Sequence, residues 1–318
     1  MPRSADPRAR EPGAARVGMV IDHDDWHARE LAKALQALGV SPLPMRLEAC
    51  AFDTGNASGL DLDGFGDQLP DAVFVRTIVG GSFESVTLRL GILHALRELG
   101  VPVWNDARAI ERCVDKSMTS FLLARSAIPT PDTWAVQSLE AARAIVGREA
   151  PRGPLVLKPL FGSQGRGLRL IRTPEELPEP GGVAGVYYLQ RFVGRLVGFE
   201  RDGFHDYRLL VSHGRVVAAM MRHSAEWITN IKRGGRPVTV ATNDDMKALA
   251  VRAAAAVGAD FAGVDILYDR EQRPSVLEVN SMPAWAGLQK VAAADIAGIL
   301  AADLVAALDA RARREATA

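Results

Sequence analysis

The sequence predicts two parts of different class: a parallel α/β unit first, and an α+β part after it. Three observations predict this. Strand and helix patterns alternate from Arg16 to Asn105, as they do where helices cross over between parallel strands. Beyond that, apolar strands come in pairs joined by short turns, such as Ser212-His213-Gly214, and such pairs are antiparallel hairpins. The length of 318 residues leaves room for about two domains at ~150 residues each.

The elements follow in order. Arg16 to Asp22 reads as a short buried strand. Leu31, Ala34, Leu35 and Leu38 repeat at helical spacing within Trp26 to Leu38, and Gly39 is the stop. Asp71 to Arg76 is the second strand, Thr87 to Leu99 the second helix, and Val101 to Asn105 the third strand. Asp53 to Gly66, rich in Gly and Asp, reads as a surface loop. Helices are expected over 106–130, ended by Ile128-Pro129-Thr130-Pro131, and another from Ser138 to Arg148. Then come a strand Leu155 to Lys158, a glycine-rich loop, a strand Leu168 to Ile171 and a strand Tyr187 to Phe192. Asp206 to Val211 pairs with Arg215 to Met221, and Phe261 to Tyr268 with Ser275 to Asn280. An alanine-rich helix, Asp244 to Gly258, lies between these hairpins, and a helix from Asp295 closes the chain.

Composition excludes several classes. Lys plus Arg number 38 and Asp plus Glu number 38, so the formal net charge is zero. Nucleic acid calls for a basic excess, and none is present. The hydrophobic fraction is 48% and the charged fraction 24%, which excludes wholesale disorder, collagen and coiled coil. No apolar run reaches the ~18 residues that span a bilayer. No secretory segment opens the chain, so the expected location is the cytoplasm, and residues 1–15 are expected to be a disordered tail. Cys50 and Cys113 are too few for a disulfide framework or a four-cysteine zinc site. They read as small buried apolar residues.

The chemistry concentrates in the last hairpin. With its turn at Glu271-Gln272 and regular pairing, Asp265 falls opposite Glu278, ~5 Å apart between Cβ atoms. Asn280 is two residues on and shares that face. Like charges so close repel unless a cation lies between them. Three oxygen donors with no His or Cys select Mg²⁺. The alternative is an exposed polar face.

The second candidate is Gly162-Ser163-Gln164-Gly165-Arg166-Gly167. Its glycines let backbone amides approach phosphate oxygens. It is neither a Walker A loop nor a dinucleotide fingerprint. Lys158 ends the apolar strand before it, where a buried ammonium wants an anion; the alternative is a lysine that snorkels to solvent. Asp206 and Arg208 share a face of one strand, as a functional pair or a surface ion pair. Arg222, Asn230, Lys232, Arg233 and Arg236 form a basic region around Gly234-Gly235, suited to anionic oxygens or simply solvated.

Taken in order, these segments resemble the ATP-grasp superfamily, and within it the RimK-like amino-acid ligases. The resemblance runs through Val114-Asp115-Lys116, Val156-Leu157-Lys158-Pro159, the glycine loop, Leu189-Gln190-Arg191-Phe192-Val193, Asp206-Tyr207-Arg208, Asn230 to Gly235, Gly263-Val264-Asp265 and Glu278-Val279-Asn280-Ser281. It implies an ATP-grasp fold with an N-terminal Rossmann-like domain over 16–112, a central subdomain over 113–186 and a C-terminal subdomain over 187–310. It implies an ATP- and Mg²⁺-dependent carboxylate–amine ligase, with Mn²⁺ as a substitute metal. Asp265, Glu278 and Asn280 match the metal ligands. Lys116 and Lys158 match the phosphate lysines. Gln190, Arg191 and Val193 match the adenine hinge, Asp206 a group near the ribose, and Arg222 and Asn230 residues at the reacting phosphate. Gly162, Ser163, Gln164, Gly165, Gly167 and Arg208 complete the expected nucleotide site, and Lys158, Arg222 and Asn230 are the expected catalytic residues.

The sequence departs from the family pattern at three places. Arg191 stands where an acidic hinge residue is usual, so adenine contacts are left to the backbone there. Ile228, beside Trp227, stands where a basic residue is frequent. The stretch between Val193 and Asp206, with Arg195, Glu200 and Arg201, is slightly long.

The acceptor is expected at the carboxyl end of the first sheet, where ligands of parallel sheets bind. Arg76 could hold an acceptor or glutamate carboxylate, and Trp26, His27 and Trp285 a planar ring, with Ser281 nearby. The Trp-His loop and the stretch Asn105 to Arg112 look like RimK-like proteins tied to the tetrahydromethanopterin one-carbon pathway. The expected substrates are therefore L-glutamate and a pterin-type acceptor, in a homodimer or homotetramer. The alternatives are a glutamate ligase acting on a ribosomal protein tail and a silent nucleotide-binding scaffold.

Overall fold

The computed structural model describes residues 14–162, 164–193, 203–269 and 271–316. The expectations for the N-terminal tail, Ser163, Arg195, Glu200 and Arg201 lie outside or, for the tail, almost wholly outside these residues. The chain begins with β1 (Arg16–Val20), α1 (Trp26–Ala37) and β2 (Ser41–Met45). Asp25 starts α1 because its side chain accepts from the Ala28 amide at 2.8 Å. A two-stranded ribbon of β3 (Ala51–Phe52) and β4 (Leu60–Asp61) follows, then β5 (Ala72–Val75), α2 (Phe83–Glu98) and β6 (Val103–Trp104). Four of these strands make a parallel sheet in the order β2-β1-β5-β6. The sequence did not predict β2, because it reads Ser-Pro-Leu-Pro-Met. An edge strand tolerates prolines that a central strand cannot.

Two helices, α3 (Ala107–Val114) and α4 (Lys116–Arg125), leave this sheet. Asp115 ends the first and caps the second, accepting from the amides of Ser117 and Met118. That cap fixes Lys116 at the first turn of α4.

The next unit holds β7 (Thr133–Val136), α5 (Leu139–Glu149), β8 (Leu155–Lys158), β9 (Arg169–Ile171) and β10 (Tyr187–Arg191). They form an antiparallel sheet in the order β7-β10-β8-β9, with its own core of Val146, Leu155, Leu157, Tyr187 and Leu189. Because β10 is a central strand here, the expected boundary at 186/187 cuts through this sheet. The sheet runs to Arg191.

The largest sheet is built from β11 (Phe204–Ser212), β12 (Arg215–Ser224), β13 (Arg236–Thr239), then, after α6 (Asp244–Val257), β14 (Phe261–Tyr268) and β15 (Pro274–Asn280). Its order is β13-β12-β11-β14-β15, antiparallel throughout. Short α7 (Ala286–Gln289) and long α8 (Ile296–Ala316) end the fold. Leu300 and Leu304 of α8 share one core with Leu31 and Leu35 of α1, Phe74 of β5 and Leu210 of β11. The first and largest sheets are thus packed together. The smaller sheet stands apart and faces the largest one across a cleft.

Candidate active site

In the β14–β15 hairpin, Asp265 lies opposite Glu278 and Gly263 opposite Asn280. The expected opposition is present, although pairing is not regular. A bulge after Asp265 leaves Leu277 without an opposite residue, so Ile266 faces Val276. At the other end Tyr268 lies opposite Pro274, which centres the turn half a residue earlier than expected. The two irregularities cancel where the carboxylates stand.

Asp265 is buried, and two arginines hold it. Arg208 donates from Nε to Oδ1 and from Nη2 to Oδ2, both at 2.7 Å. Arg222 Nη2 donates to Oδ2 at 2.8 Å, and the same guanidinium grips both oxygens of buried Asp206. Burial pushes the Asp265 carboxyl up, but the two guanidiniums outweigh it and hold the group well below the usual carboxylate range. Burial also works against the Arg222 charge, and Asp265 and Asp206 more than reverse that effect. The expected carboxylate repulsion is therefore already relieved: Arg208 Nη2 also lies 3.8 Å from Glu278 Oε1. Asn280 Nδ2 donates to that same oxygen at 3.1 Å.

Lys158 does not snorkel away. It is half-buried, and its Nζ donates to the neutral Gln190 Oε1 at 2.6 Å. Burial pulls its pKa down, and Glu278 opposes that. Lys116 Nζ donates to Leu160 O at 3.1 Å and Gly162 O at 2.8 Å, so it holds the start of the glycine loop. Burial lowers its pKa too. In the loop, Gly165 has φ +69°, and a Cβ there would lie 2.6 Å from Asn230 Oδ1. Arg233 Nη1 donates to Gly165 O at 3.1 Å, which joins the two lips of the cleft.

The structure brings Lys116, Lys158, Gly162, Gln164, Gly165, Gln190, Arg191, Val193, Asp206, Arg222, Asn230, Asp265 and Glu278 onto the walls of one cleft. Gly167, Arg208 and Asn280 are not on its walls. Three assignments change. Arg191 turns its charge away from the cleft: its guanidinium donates to the carbonyls of Glu149 and Gly153 and pairs with Glu149 Oε2 at 2.7 Å. Asp206 has both oxygens committed to Arg222 rather than free for a ribose. Arg208 binds the Asp265 carboxylate in the β14–β15 hairpin.

The expected stacking surface is not offered by Trp285 or His27. Trp285 is 0% exposed. His27 Nε2 accepts from the amides of Trp285 and Ala286, both at 3.1 Å, and Nδ1 lies 2.9 Å from Asp25 Oδ2. That partner set puts the ring proton on Nδ1. Burial lowers the pKa of the ring. Trp26 is half-exposed, and Ser281 is buried with its carbonyl bound by Asn105. Arg76 is 5% exposed. None of these five lines the cleft.

Sequence reasoning missed two features. Phe192 and Trp227 meet edge to face across the cleft, ring centroids 6.0 Å apart; their separation in sequence gave no signal. Asn105 is completely buried. It accepts from the amides of Asp260 and Phe261 and donates to the carbonyls of Phe261 and Ser281. A polar residue closing an apolar strand was the available signal.

The donor set fits a hard divalent cation. Asp265, Glu278 and Asn280 offer oxygen only, and the Arg208 guanidinium between the two carboxylates shows that the place favours positive charge. Among the described residues no helix is long and apolar enough to cross a membrane.

The RimK-like ATP-grasp domain matches residues 113–304. A tetrahydromethanopterin:alpha-L-glutamate ligase of Methanosarcina acetivorans is 33% identical over 86% of this chain and 93% of its own length. Another of the same name, from Methanococcus maripaludis, is 30% identical over 89% and 95%. The ATP-grasp ligase PsnB, solved with a phosphomimetic variant of its minimal precursor, Mg and ADP, superposes with a TM-score of 0.68 at 24% identity, covering 93% of this chain and 99% of that one. With a fold shared along nearly its whole length and a domain match over most of it, the chain belongs to the RimK-like ATP-grasp family.

Proposed function

We propose that the protein is an ATP- and Mg²⁺-dependent ligase that joins the amine of L-glutamate to a carboxylate of a tetrahydromethanopterin-type acceptor. The observation that carries it is the pair of carboxylates, Asp265 and Glu278, lining one cleft with Lys158 and Lys116. Relatives named for this reaction support the choice of glutamate and pterin.

A carboxylate is a poor electrophile, and transfer of the terminal phosphate of ATP makes it an acyl phosphate that an amine can attack. Such transfer needs alignment and charge neutralisation rather than a protein nucleophile. Lys158 and Arg222 bring fixed positive charge to the developing phosphate oxygens. Lys116 sets the glycine loop, whose backbone covers the phosphates. Gly165 against Asn230, and Arg233 on Gly165, close the lips and keep water from the acyl phosphate. Asp265, Glu278 and Asn280 would hold Mg²⁺, and the ion would draw negative charge off the phosphate oxygens.

The test supplies purified protein, ATP, Mg²⁺ and glutamate to tetrahydromethanopterin and, separately, to ribosomal protein tails. ADP release with addition of one glutamate mass to the pterin is the expected result. Addition to the protein tail alone overturns the pterin reading. ATP consumption with neither points to another acceptor.

A further inference from the structure

We propose that Arg76 and Lys232 form an anion-binding subsite, outside the ATP cleft, that holds the carboxylates of the amine substrate. The proposal rests on the ligase reading above and deepens it. Among the described residues, two buried side-chain donors have no partner: Arg76 Nε and Trp285 Nε1. They belong to one stacked pair, with the guanidinium 5.2 Å from the Trp285 ring centroid. Arg76 is 5% exposed, yet its pairing is weak. Asp25 Oδ2 lies 3.8 Å away and is already engaged by His27, and Met282 O is 3.4 Å away. A buried guanidinium stays charged and is costly without an anion. This one is incompletely satisfied by the protein alone.

Its place in the fold says which anion. Arg76 follows β5, at the carboxyl end of the parallel sheet where ligands bind. It touches the segment after Asn280, the last residue of the metal hairpin. The loop after Asn230 comes close from the other side: Ile231 abuts Gly287, two residues from Trp285, and the exposed Lys232 follows Ile231 in the chain. The subsite therefore borders the cleft through the loop that carries Asn230.

The carboxylate to be phosphorylated must meet the terminal phosphate, so it lies on the cleft wall with Lys158 and Arg222. Arg76 is not on that wall. The carboxylate it holds is one that does not react. An acidic amino acid supplies two such groups while its amine attacks, one for Arg76 and one for Lys232. A guanidinium meets a carboxylate in a bidentate, directional contact, which would leave the amine pointing toward the cleft.

The experiment measures KM for glutamate, ATP and acceptor in the wild type, Arg76→Gln, Arg76→Lys and Lys232→Gln. Arg76→Gln is expected to raise the glutamate KM at least tenfold, with ATP and acceptor KM within twofold, and Arg76→Lys to recover part of the loss. Lys232→Gln, at an exposed position that folding tolerates, is expected to raise the glutamate KM alone. If Arg76→Gln fails to fold, Lys232→Gln decides: an unchanged glutamate KM overturns the subsite. A rise in the acceptor KM instead assigns Arg76 to the acceptor and also overturns it. Wild-type turnover of glutamate is the control. Its absence overturns the function proposed above, whereas normal wild-type turnover with unaltered variants overturns only the subsite.

Discussion

The Asp265 carboxylate accepts from Arg208 at 2.7 Å and Arg222 at 2.8 Å, so an amide in its place leaves two enclosed guanidiniums short of an anion. Removing one partner of a buried pair costs ~3–5 kcal/mol. Asp265→Asn is therefore expected to lose ligation and to melt well below the wild type. Its pH dependence follows from the same contact. The folded-state pKa is depressed, so the stabilisation is present above the unfolded value of ~3.9 and is lost as pH falls through the lower folded value. The gap in melting temperature between wild type and variant should narrow in acid. Glu278, with a side chain 33% exposed, has no such burden. Glu278→Gln should abolish turnover yet melt within ~0.5 kcal/mol of the wild type. Calorimetry beside ADP release separates the two outcomes. Lys158→Met removes an ammonium that burial disfavours. It should melt no lower than the wild type and turn over ~100-fold more slowly, a loss of ~3 kcal/mol, read from single-turnover rates. The residue types and their opposition were legible in the sequence. That Arg208 and Arg222 share Asp265 was not, because β11 and β12 are joined to β14 by pairings that only the folded sheet decides.

Among the elements, the glycine loop couples local backbone to the cleft most directly. Gly165→Ala places a side chain at φ +69° and 2.6 Å from Asn230 Oδ1. The expected effect is a rise of at least tenfold in the KM for ATP, with a stability loss of ~1 kcal/mol from the backbone conformation; steady-state kinetics and denaturant unfolding check the two separately. Hairpins were legible because alternation and turn residues are local signals. β2 and β13 were not: Pro42, Pro44 and Pro237 mask them, and only edge positions make those prolines acceptable. Arg191 shows the same limit. The resemblance puts it in a nucleotide hinge, but the direction of its side chain is set by Glu149 at the end of α5, a contact distant in sequence.

At the scale of the whole molecule, the last helix completes the first domain. Ile296, Leu300 and Leu304 are buried in the core that contains Leu31 and Leu35. Burying each such side chain contributes ~1.5–3 kcal/mol, so three approach the ~5–15 kcal/mol that hold a typical domain together. Deleting the chain from Ile296 onward should give insoluble protein, measured as the soluble fraction after expression. A closing helix from Asp295 was expected from the sequence, but that expectation did not name the surface the helix covers.

The four hydrogen bonds of Asn105 have a mechanical consequence. They rivet the end of β6 to both ends of the β14–β15 hairpin, at Phe261 where β14 begins and at Ser281 just past β15. The first sheet and the hairpin therefore travel as a single lever arm. Opening the jaw to exchange nucleotide falls to the small β7–β10 sheet, which keeps its own core and can tilt without disturbing the floor on which the chemistry is done.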